Sequence, residues 1–235
     1  MKMMRKWKNI MAGALLSAML CVGGTALAAP VPAPDADIHD LLYQYRQDAS
    51  VQQVLFVNIG KGSEAHVRFY EKDAASGAWT ITRDCDAYAG KNGGGKTKEG
   101  DAKTPYGIFN VRTAFGIKAN PGTTLPYIDV TNDTYACGCE QYYNQIIDAK
   151  KTGHVCAEDG EHMIKYSPHY NYGMAIDYNA DNTLWLGSGM FIHCIGAKPW
   201  TGGCVALPED DMSYILQHSN SGIKVIIQQY LAPEA

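Results

Sequence analysis

A mainly β domain with a few short helices is predicted by two features of the sequence. Segments of strand length are rich in apolar, β-branched and aromatic residues, and Gly-containing turns separate them. These segments are 51–59, 65–71, 78–83, 108–112, 172–178, 190–193 and 223–227. The first three follow one another across the short turns 60–62 and 75–77, which predicts an antiparallel meander.

Two helices are predicted near the ends of this β region. Residues 37–49 carry apolar side chains at three- and four-residue spacing, with Asp35 or Asp37 available as the N-cap. Residues 208–217 begin with a proline in the first turn, and three acidic residues follow it. Acidic side chains are favourable there because the N-terminal end of a helix is positive.

The segment 116–170 is predicted to be an insertion rather than part of the main sheet. Its Pro- and Gly-containing stretches show no sustained periodicity. A short helix is predicted at 140–149, and a second one around Met163 is ambiguous. The aromatic content of this helical or irregular insertion indicates a wall or lid over a cleft on one face of the sheet.

The first 28 residues have the features of a secretory signal peptide. A basic start is followed by the apolar run 10–22 and by the small-x-small cleavage signal at 26–28. Cys21 lacks the small residue and the leucine that a lipoprotein signal places before its cysteine. Residues 29–36 form a Pro-rich linker, and residues 37–235 form one domain. We therefore expect secretion to the periplasm or cell wall.

Charge and hydropathy exclude two classes of partner. The formal net charge is −4, and no Lys/Arg cluster follows the signal, which argues against nucleic acid and anionic membrane surfaces. No later stretch is long and apolar enough to cross a bilayer. No feature of the sequence predicts an oligomeric state.

Six of the seven cysteines remain after removal of the signal. Cys137 and Cys139, together with His154 and Cys156, have the residue types of a zinc site. Only one residue separates Cys137 from Cys139 and His154 from Cys156, which is less than the usual spacing of structural zinc ligands. An oxidising compartment also favours disulfides. We therefore predict a disulfide from Cys156 to Cys137 or Cys139, with zinc as the alternative, and leave Cys85 and Cys194 unassigned.

The Gly-rich stretch 90–107 contains the letters of a phosphate-binding P-loop. Gly90, Gly95, Lys96 and Thr97 match that motif, but no apolar strand precedes it and no helical periodicity follows it. We therefore predict a long loop that leads into the strand 108–112.

The clearest chemical signal is a histidine and a cysteine on either side of a glycine-containing loop. His193 ends the apolar run 190–192, and Cys204 follows 201–203. A thiol attacks a carbonyl as the thiolate, and a neighbouring imidazole can take its proton. If the strand and the loop fold back on each other, backbone amides at 203 and 204 would face a developing oxyanion. Taken alone, the pair also fits a half-cystine and a core histidine.

Three blocks of residues resemble the YkuD-type L,D-transpeptidases. The first, 201–207, reads Thr-Gly-Gly-Cys-Val-Ala-Leu, and the second, 187–193, reads Gly-Ser-Gly-Met-Phe-Ile-His. The third lies at 96–107 and contains Lys-Thr-Lys-Glu-Gly-Asp followed by Lys-Thr-Pro-Tyr-Gly. The likeness extends from about residue 90 to residue 227.

The resemblance implies a β-sandwich in which Cys204 is the nucleophile and His193 is the general base and then the acid. The backbone of Gly202 and Gly203, with the Cys204 amide, would form the oxyanion hole, and we assign Thr201 and Trp200 to substrate binding. The implied substrates are peptidoglycan stem peptides. The cysteine would attack the carbonyl of the third, diamino residue, expel the terminal D-amino acid and pass the acyl group to an amine. No metal or other cofactor is implied.

Two departures from the family pattern leave alternatives open. Gly202 stands where the common signature has histidine, and Ala206 stands where many members have Arg or Asn. The second departure removes a carboxylate-binding or loop-bracing group, so the substrate or acceptor can differ. The alternatives are an L,D-carboxypeptidase or endopeptidase of the same stems, a silent wall-binding module in which Cys204 pairs with Cys194, and a zinc peptidase.

Overall fold

A computed structural model describes residues 38–156 and 158–229. The expected signal peptide and linker lie outside the described residues. In chain order the helices are α1 (Ile38–Tyr45), α2 (Ala149–Thr152) and α3 (Glu209–His218). The strands are β1 (Gln53–Ile59), β2 (Glu64–Lys72), β3 (Trp79–Tyr88), β4 (Gly107–Gly116), β5 (Tyr127–Asp129), β6 (Thr134–Cys137), β7 (Gln145–Asp148), β8 (Gly160–His162), β9 (Gly173–Ile176), β10 (Phe191–Cys194), β11 (Val205–Leu207) and β12 (Ile223–Gln229). The prediction of a mainly β fold with short helices is confirmed.

Nine strands form the main sheet in the order β12-β1-β2-β3-β11-β10-β9-β4-β5. An additional pairing between β12 and β4 closes eight of these strands on themselves. The meander β1-β2-β3 is antiparallel, as predicted, whereas β1 with β12 and β10 with β11 are parallel. Strand β5 lies outside this closed set. It pairs with β4 on one side and forms the free edge of the sheet on the other.

The two faces of the first strand explain why its sequence is almost continuously apolar. Leu55 and Val57 belong to the main core, to which α3 contributes Met212 and Ile215. The alternate residues of β1 belong to a second cluster, in which α1 packs against the sheet. A strand buried on both faces loses the apolar–polar alternation of a half-exposed strand.

Part of the segment 116–170 packs on one face of the main sheet, but β5 within it joins the edge of that sheet, and the helix predicted at 140–149 is wrong. A short 3-10 turn at 140–142 is followed by β7 and then by the single-turn helix α2. Asn144 adopts a φ of 59°, which interrupts helical geometry. Ile146 and Ile147 then pack into different clusters, as side chains that alternate along a strand do. The ambiguous segment around Met163 forms β8 and a 3-10 turn at 163–165.

Strands β7, β6 and β8 form a separate three-stranded sheet, and a disulfide joins β6 to the loop between α2 and β8. The bond links Cys137 to Cys156, which is one of the two pairings predicted. Cys85, Cys139, Cys194 and Cys204 are free thiols.

Within the described ranges no helix combines the length and the apolar character needed to span a bilayer.

Candidate active site

Strands β10 and β11 place the predicted base and nucleophile on neighbouring backbone segments. The strands are parallel, and their register pairs His193 with Ala206. Cys204 stands one residue before β11, so it lies beside Phe191. Since side chains two residues apart on a strand point to the same face, Cys204, Phe191 and His193 share one face of the sheet.

The thiol of Cys204 is half-buried and held by the backbone. It donates to the carbonyl of Gly189 at 3.2 Å, and the amide of Phe191 donates to the sulfur at 3.4 Å. The carbonyl of Cys204 accepts from the Thr201 hydroxyl at 2.6 Å and the Thr104 hydroxyl at 3.3 Å. Hydrogen bonds on both sides of the residue therefore fix the position of the sulfur.

The imidazole of His193 is oriented as a neutral base. Its Nδ1 lies 2.8 Å from the carbonyl oxygen of Cys194, which can only accept, so Nδ1 carries the proton and Nε2 keeps its lone pair. Only 5 % of His193 is exposed. Burial lowers its pKa from 6.5 to about 4, the nearby His169 adds to this effect, and the Cys194 hydrogen bond opposes it.

The sulfur is also in its neutral form. Burial raises the pKa of the Cys204 thiol to about 12, and the charge of Glu161 acts in the same direction. The Phe191 amide and the ammonium of Lys96 lower this pKa, but by less. At neutral pH the site therefore holds a thiol and a neutral imidazole, and the proton has to move when the sulfur attacks.

A buried tyrosine and glutamate lie beneath this pair. The ring of Tyr170 stands edge-on to the rings of His193 and Phe191, with centroids 5.6 Å and 5.9 Å away. Its hydroxyl donates to Oε2 of Glu161. Burial raises the pKa of Glu161 and of Tyr170. This contact places a second titratable pair directly behind the base.

The Gly-rich loop 90–107 braces the site through a buried ion pair and is not a phosphate-binding loop. Lys96 Nζ lies 3.0 Å from Asp101 Oδ1, and their side chains are 1 % and 8 % exposed. The Asp101 carboxylate also accepts the amides of Thr97, Lys98 and Lys103. Burial raises the pKa of Asp101, but these amides and Lys96 outweigh it and lower the pKa to about 2.

We expect Asp101→Asn to destabilise the fold by about 3 kcal/mol or more, because Lys96 is left charged and buried without a counter-charge. Urea unfolding of both proteins at neutral pH measures the difference. The Asp101 contribution is present above the unfolded pKa of 3.8 and is lost as pH falls towards the folded value of about 2. The control is Asp86→Asn, whose side chain is fully exposed, and equal stability of the two variants would contradict the assignment.

A groove of about 220 Å³ is lined in part by Phe191, whose amide donates to the Cys204 sulfur. Met190 and Phe191 line it on the sheet side, and Asn144, Gln145 and Ile146 line it on the insertion side. The remaining lining residues are Arg112, Thr113, Ile128, Ala175 and Ile176. A second groove, of about 390 Å³, lies over β1 and β2 and is lined by different residues. Phe191, which contacts the sulfur, lines the first groove and not the second.

A sequence model of the YkuD family, described as the L,D-transpeptidase catalytic domain, matches residues 37–227. The chain belongs to this family. No match was found among curated proteins.

Solved structures of L,D-transpeptidases and of a cell-shape protein are similar to this YkuD domain at low identity. The helical cell shape determining protein Pgp2 from Campylobacter jejuni is 17 % identical, with 83 % of this chain and 57 % of that chain covered and a TM-score of 0.41. A mutant of the Enterococcus faecium L,D-transpeptidase is 15 % identical (74 % and 49 % covered, TM-score 0.36). An L,D-transpeptidase from Mycobacterium smegmatis is 12 % identical (76 % and 59 % covered, TM-score 0.33). The YkuD domain thus spans between about half and three fifths of these chains.

The turn 201–203 before Cys204 uses its polar groups for hydrogen bonds within the turn, which differs from the roles predicted for Thr201 and Gly203. The Gly203 amide, predicted to face the oxyanion, donates to the Thr201 hydroxyl at 3.0 Å inside the turn. Thr201, predicted to bind substrate, is 8 % exposed and uses the same hydroxyl to hold the Cys204 carbonyl. A Cβ at Gly202 would meet no atom within 4 Å, so packing does not force glycine where the family has histidine. The Cys204 amide lies close to the sulfur, and its role as an oxyanion donor stays a prediction.

Trp200, the other residue predicted to bind substrate, lies on the Lys-rich side of the turn. The amines of Lys91 and Lys198 stand 5.2 Å and 4.6 Å from the centre of its ring. Its backbone neighbour Thr201 forms a bridge to Gly90, so the loop 90–107 and the Trp200 turn are joined. Trp200 is half-buried between these cations, and its role in substrate binding stays a prediction.

Cys194 cannot guard the nucleophile as a disulfide partner in this arrangement. Its fully buried side chain belongs to the main core, and its thiol donates to the carbonyl of Tyr172 at 3.4 Å. Cys204 packs against the cluster on the other face of the sheet. Neighbouring residues of a strand point to opposite faces, so Cys194 faces away from His193 and Cys204. A Cys194–Cys204 bond would require β10 or β11 to change face.

Sequence reasoning missed Arg112, Glu161 and Tyr170. Arg112 lies in the predicted strand 108–112, where an arginine on a solvent-facing position draws no attention. Glu161 and Tyr170 lie in and after the ambiguous segment, and only the fold brings them to the sulfur. The Pro- and Tyr-rich stretch before β9 is the one sequence signal that points to this region.

Proposed function

We propose that this YkuD domain is a cysteine-dependent L,D-transpeptidase that acts on peptidoglycan stem peptides. The observation that carries the proposal is the placement of Cys204 beside Phe191 and of a neutral His193 on the same face of β10. Phe191 also lines a groove. The family assignment supplies the class of chemistry, and this geometry supplies a nucleophile with a base of the right tautomer.

The first half-reaction forms a thioester. The Cys204 thiol leaves its hydrogen bond to Gly189, gives its proton to Nε2 of His193, and the sulfur attacks the carbonyl carbon of the diamino residue. The Cys204 amide, which lies near the sulfur, donates to the oxyanion. His193 then gives the proton to the nitrogen of the departing D-amino acid, and the C–N bond breaks. The low pKa of His193 makes its protonated form a strong acid for this step.

The second half-reaction transfers the acyl group to an amine. His193, again neutral, takes a proton from the attacking amine, the C–S bond breaks, and the proton returns to the Cys204 sulfur. The carboxypeptidase alternative differs only in using water instead of the amine. The burial that keeps both catalytic groups neutral also limits water beside the thioester, which favours the amine.

The proposal is tested with disaccharide tetrapeptide incubated with the purified protein, with and without a second stem as amine donor. We expect a cross-linked dimer and released D-amino acid in the presence of the amine. Tripeptide without dimer in both mixtures would support the carboxypeptidase instead. If neither dimer nor tripeptide forms and a carbapenem gives no acyl adduct on Cys204, the result would support the wall-binding module.

Arg112 is the cation of the groove and replaces, in this proposal, the carboxylate-binding residue absent at Ala206. Its guanidinium lies 3.5 Å from the carbonyl of Asn179, which leaves donors for a ligand. The stem peptide carries free carboxylates, and arginine binds carboxylates through two parallel hydrogen bonds. We therefore infer that Arg112 binds a carboxylate of the acyl donor.

We expect Arg112→Ala to raise KM for tetrapeptide by about 10- to 100-fold, the cost of a charged hydrogen bond, with little change in kcat. Initial rates over a range of stem concentrations separate the two parameters. Arg68→Ala is the matched control, because Arg68 lines the other groove. A fall in kcat at unchanged KM would contradict a binding role for Arg112.

The site of action is part of the proposal. The features of residues 1–28 support secretion of the domain to the periplasm or cell wall, where stem peptides are found. Determination of the N-terminus of the protein recovered from the cell envelope tests this, and an N-terminus at residue 29 is expected.

A further inference from the structure

Three cysteines and one histidine lie near one another in the insertion, and none of them is among the residues that line the groove next to Phe191. Cys137 ends β6 and Cys139 follows it, whereas His154 and Cys156 precede β8. The sulfurs of the three cysteines lie within 4.8 Å of one another, although only Cys137 and Cys156 are joined. Cys139 Sγ is 3.5 Å from Cys156 Sγ and 3.4 Å from His154 Nε2.

The distances around Cys139 match the edges of a tetrahedral zinc site. With Zn–S bonds of about 2.3 Å and Zn–N bonds of about 2.0 Å, tetrahedral geometry puts two sulfurs about 3.8 Å apart and a sulfur and a nitrogen about 3.5 Å apart. A disulfide alone accounts for the meeting of two sulfurs. It gives no reason for a third thiol to lie within 4.8 Å of both sulfurs, or for an imidazole to contact that thiol.

We propose that Cys137, Cys139, His154 and Cys156 bind one Zn²⁺ ion when the Cys137–Cys156 disulfide is reduced. A dithiol reductant converts the disulfide into two thiols and is itself oxidised to a disulfide. Zn²⁺ then displaces one proton from each of the three thiols, and neutral His154 binds through Nε2. The same four residues thus form either a disulfide with a free thiol or a zinc site.

The two segments that carry the ligands are held together without the disulfide. The amide of Gly138 donates to the carbonyl of Asp159 at 2.5 Å, which ties the loop after β6 to the segment before β8. A Cβ at Gly160 would lie 2.7 Å from the Cβ of Cys156, so the backbone passes close to this ligand. The ring of Tyr142 packs against His154 with centroids 5.0 Å apart. Ligands contributed by two such segments can converge despite the one-residue spacing within each pair.

A cross-link in either state adds to the small core on one face of the three-stranded sheet. That core consists of the buried side chains of Cys137, Ile147 and Cys156, with three partly buried neighbours. The other face packs on the main sheet through Ala136 and Ile146. Asn144 and Gln145, at the start of β7, line the groove beside Cys204, so the cross-link also fixes a wall of the groove.

The test is metal uptake by the intact protein. The chain is reduced with a phosphine in the absence of oxygen, freed of reductant and titrated with Zn²⁺ against a chromophoric chelator, and in parallel with Co²⁺. We expect one equivalent of metal per chain, and for Co²⁺ the visible bands of tetrahedral coordination with thiolate-to-metal charge transfer. The oxidised protein is expected to bind no metal at this site.

Two variants separate a zinc site from a simple disulfide. Cys139→Ser and His154→Ala keep both disulfide cysteines, so their oxidised forms report whether the fold is intact. In the reduced state we expect Cys139→Ser to weaken zinc binding on the order of 100-fold or more. Losing a residue that only hydrogen-bonds to a ligand costs about 10- to 100-fold, and Cys139 is itself a proposed ligand. Cys85→Ser, which removes a thiol of β3, is expected to bind as the parent does. No stoichiometric uptake by the reduced parent, or equal affinity of Cys139→Ser and Cys85→Ser, overturns the proposal. The measurement uses no peptidoglycan substrate, so its result is independent of the proposed activity.

Discussion

Cys204→Ser is expected to abolish turnover of tetrapeptide stems, with a loss on the order of 10⁴-fold or more. The serine hydroxyl is far less acidic than a thiol, and His193 is a weak base because burial lowers its pKa to about 4. Such a base can take a proton from sulfur during attack on a carbonyl, but not from an aliphatic hydroxyl. Release of D-amino acid and the mass of any acyl adduct measure the effect.

The chain supplies matched controls for this substitution. Cys194→Ser changes a thiol in the same strand pair on the other face of the sheet, and Cys85→Ser changes a half-buried thiol on β3. Both are expected to keep turnover within about tenfold of the parent, since neither thiol faces the groove. A loss in Cys204→Ser much smaller than about 10⁴-fold, or a carbapenem adduct on another cysteine, would assign the nucleophile elsewhere.

The sequence predicted the parts of the fold that rest on local pattern. The meander β1-β2-β3 was recoverable because apolar and β-branched residues fill whole strands between short turns, and α3 because its helical spacing persists for a full element. The sheet of the insertion was not, because β6, β7 and β8 have only three or four residues each. Periodicity cannot be read over that length, and the pairing partners come from distant segments.

The candidate site shows the same division. Cys204 and His193 lie in a recognisable motif, which allowed the prediction that the strand ending at His193 and the loop before Cys204 fold back on each other. The turn was misread because Thr201 competes for the Gly203 amide, a side-chain contact that glycine-rich composition does not indicate. Glu161 and Tyr170 reach the site through tertiary packing alone, so no local pattern could have assigned them.

Packing of the insertion onto the main sheet explains why Cys204 and His193 are both neutral. Tyr170 and Phe191 share a cluster with residues of the insertion, and this cluster contacts Cys204. The desolvation it causes raises the pKa of the thiol and lowers that of the imidazole, so a resting thiolate–imidazolium pair is disfavoured. In the proposed reaction the thiol proton therefore has to leave as the sulfur attacks the substrate carbonyl.

His193→Gln is expected to lower kcat/KM by about 10²–10⁴-fold, the usual range for the loss of a general base. For the parent enzyme we expect the acid limb of the kcat/KM profile near pH 4, not near the ordinary histidine value of 6.5, because the buried imidazole stays neutral down to about 4. Rates on tetrapeptide between about pH 3.5 and pH 8 measure the limb. An acid limb at 6.5, or near-normal activity of His193→Gln, would contradict the role of His193.

The same pKa shift predicts how stability depends on pH. The folded pKa of His193 is lower than the unfolded value, so between pH 6.5 and about 4 the unfolded chain binds a proton that the folded chain does not. The unfolding free energy of the parent therefore falls as pH falls through that window and stops falling from this cause below about 4. In His193→Gln this contribution, about 3 kcal/mol in total, is absent, so the free energy of the variant should vary less over the window. Because the Asp101 contribution is lost only below 3.8, urea unfolding at several pH values resolves the two groups, and equal slopes for parent and His193→Gln between pH 6.5 and 4 would show that His193 is not buried as a neutral base.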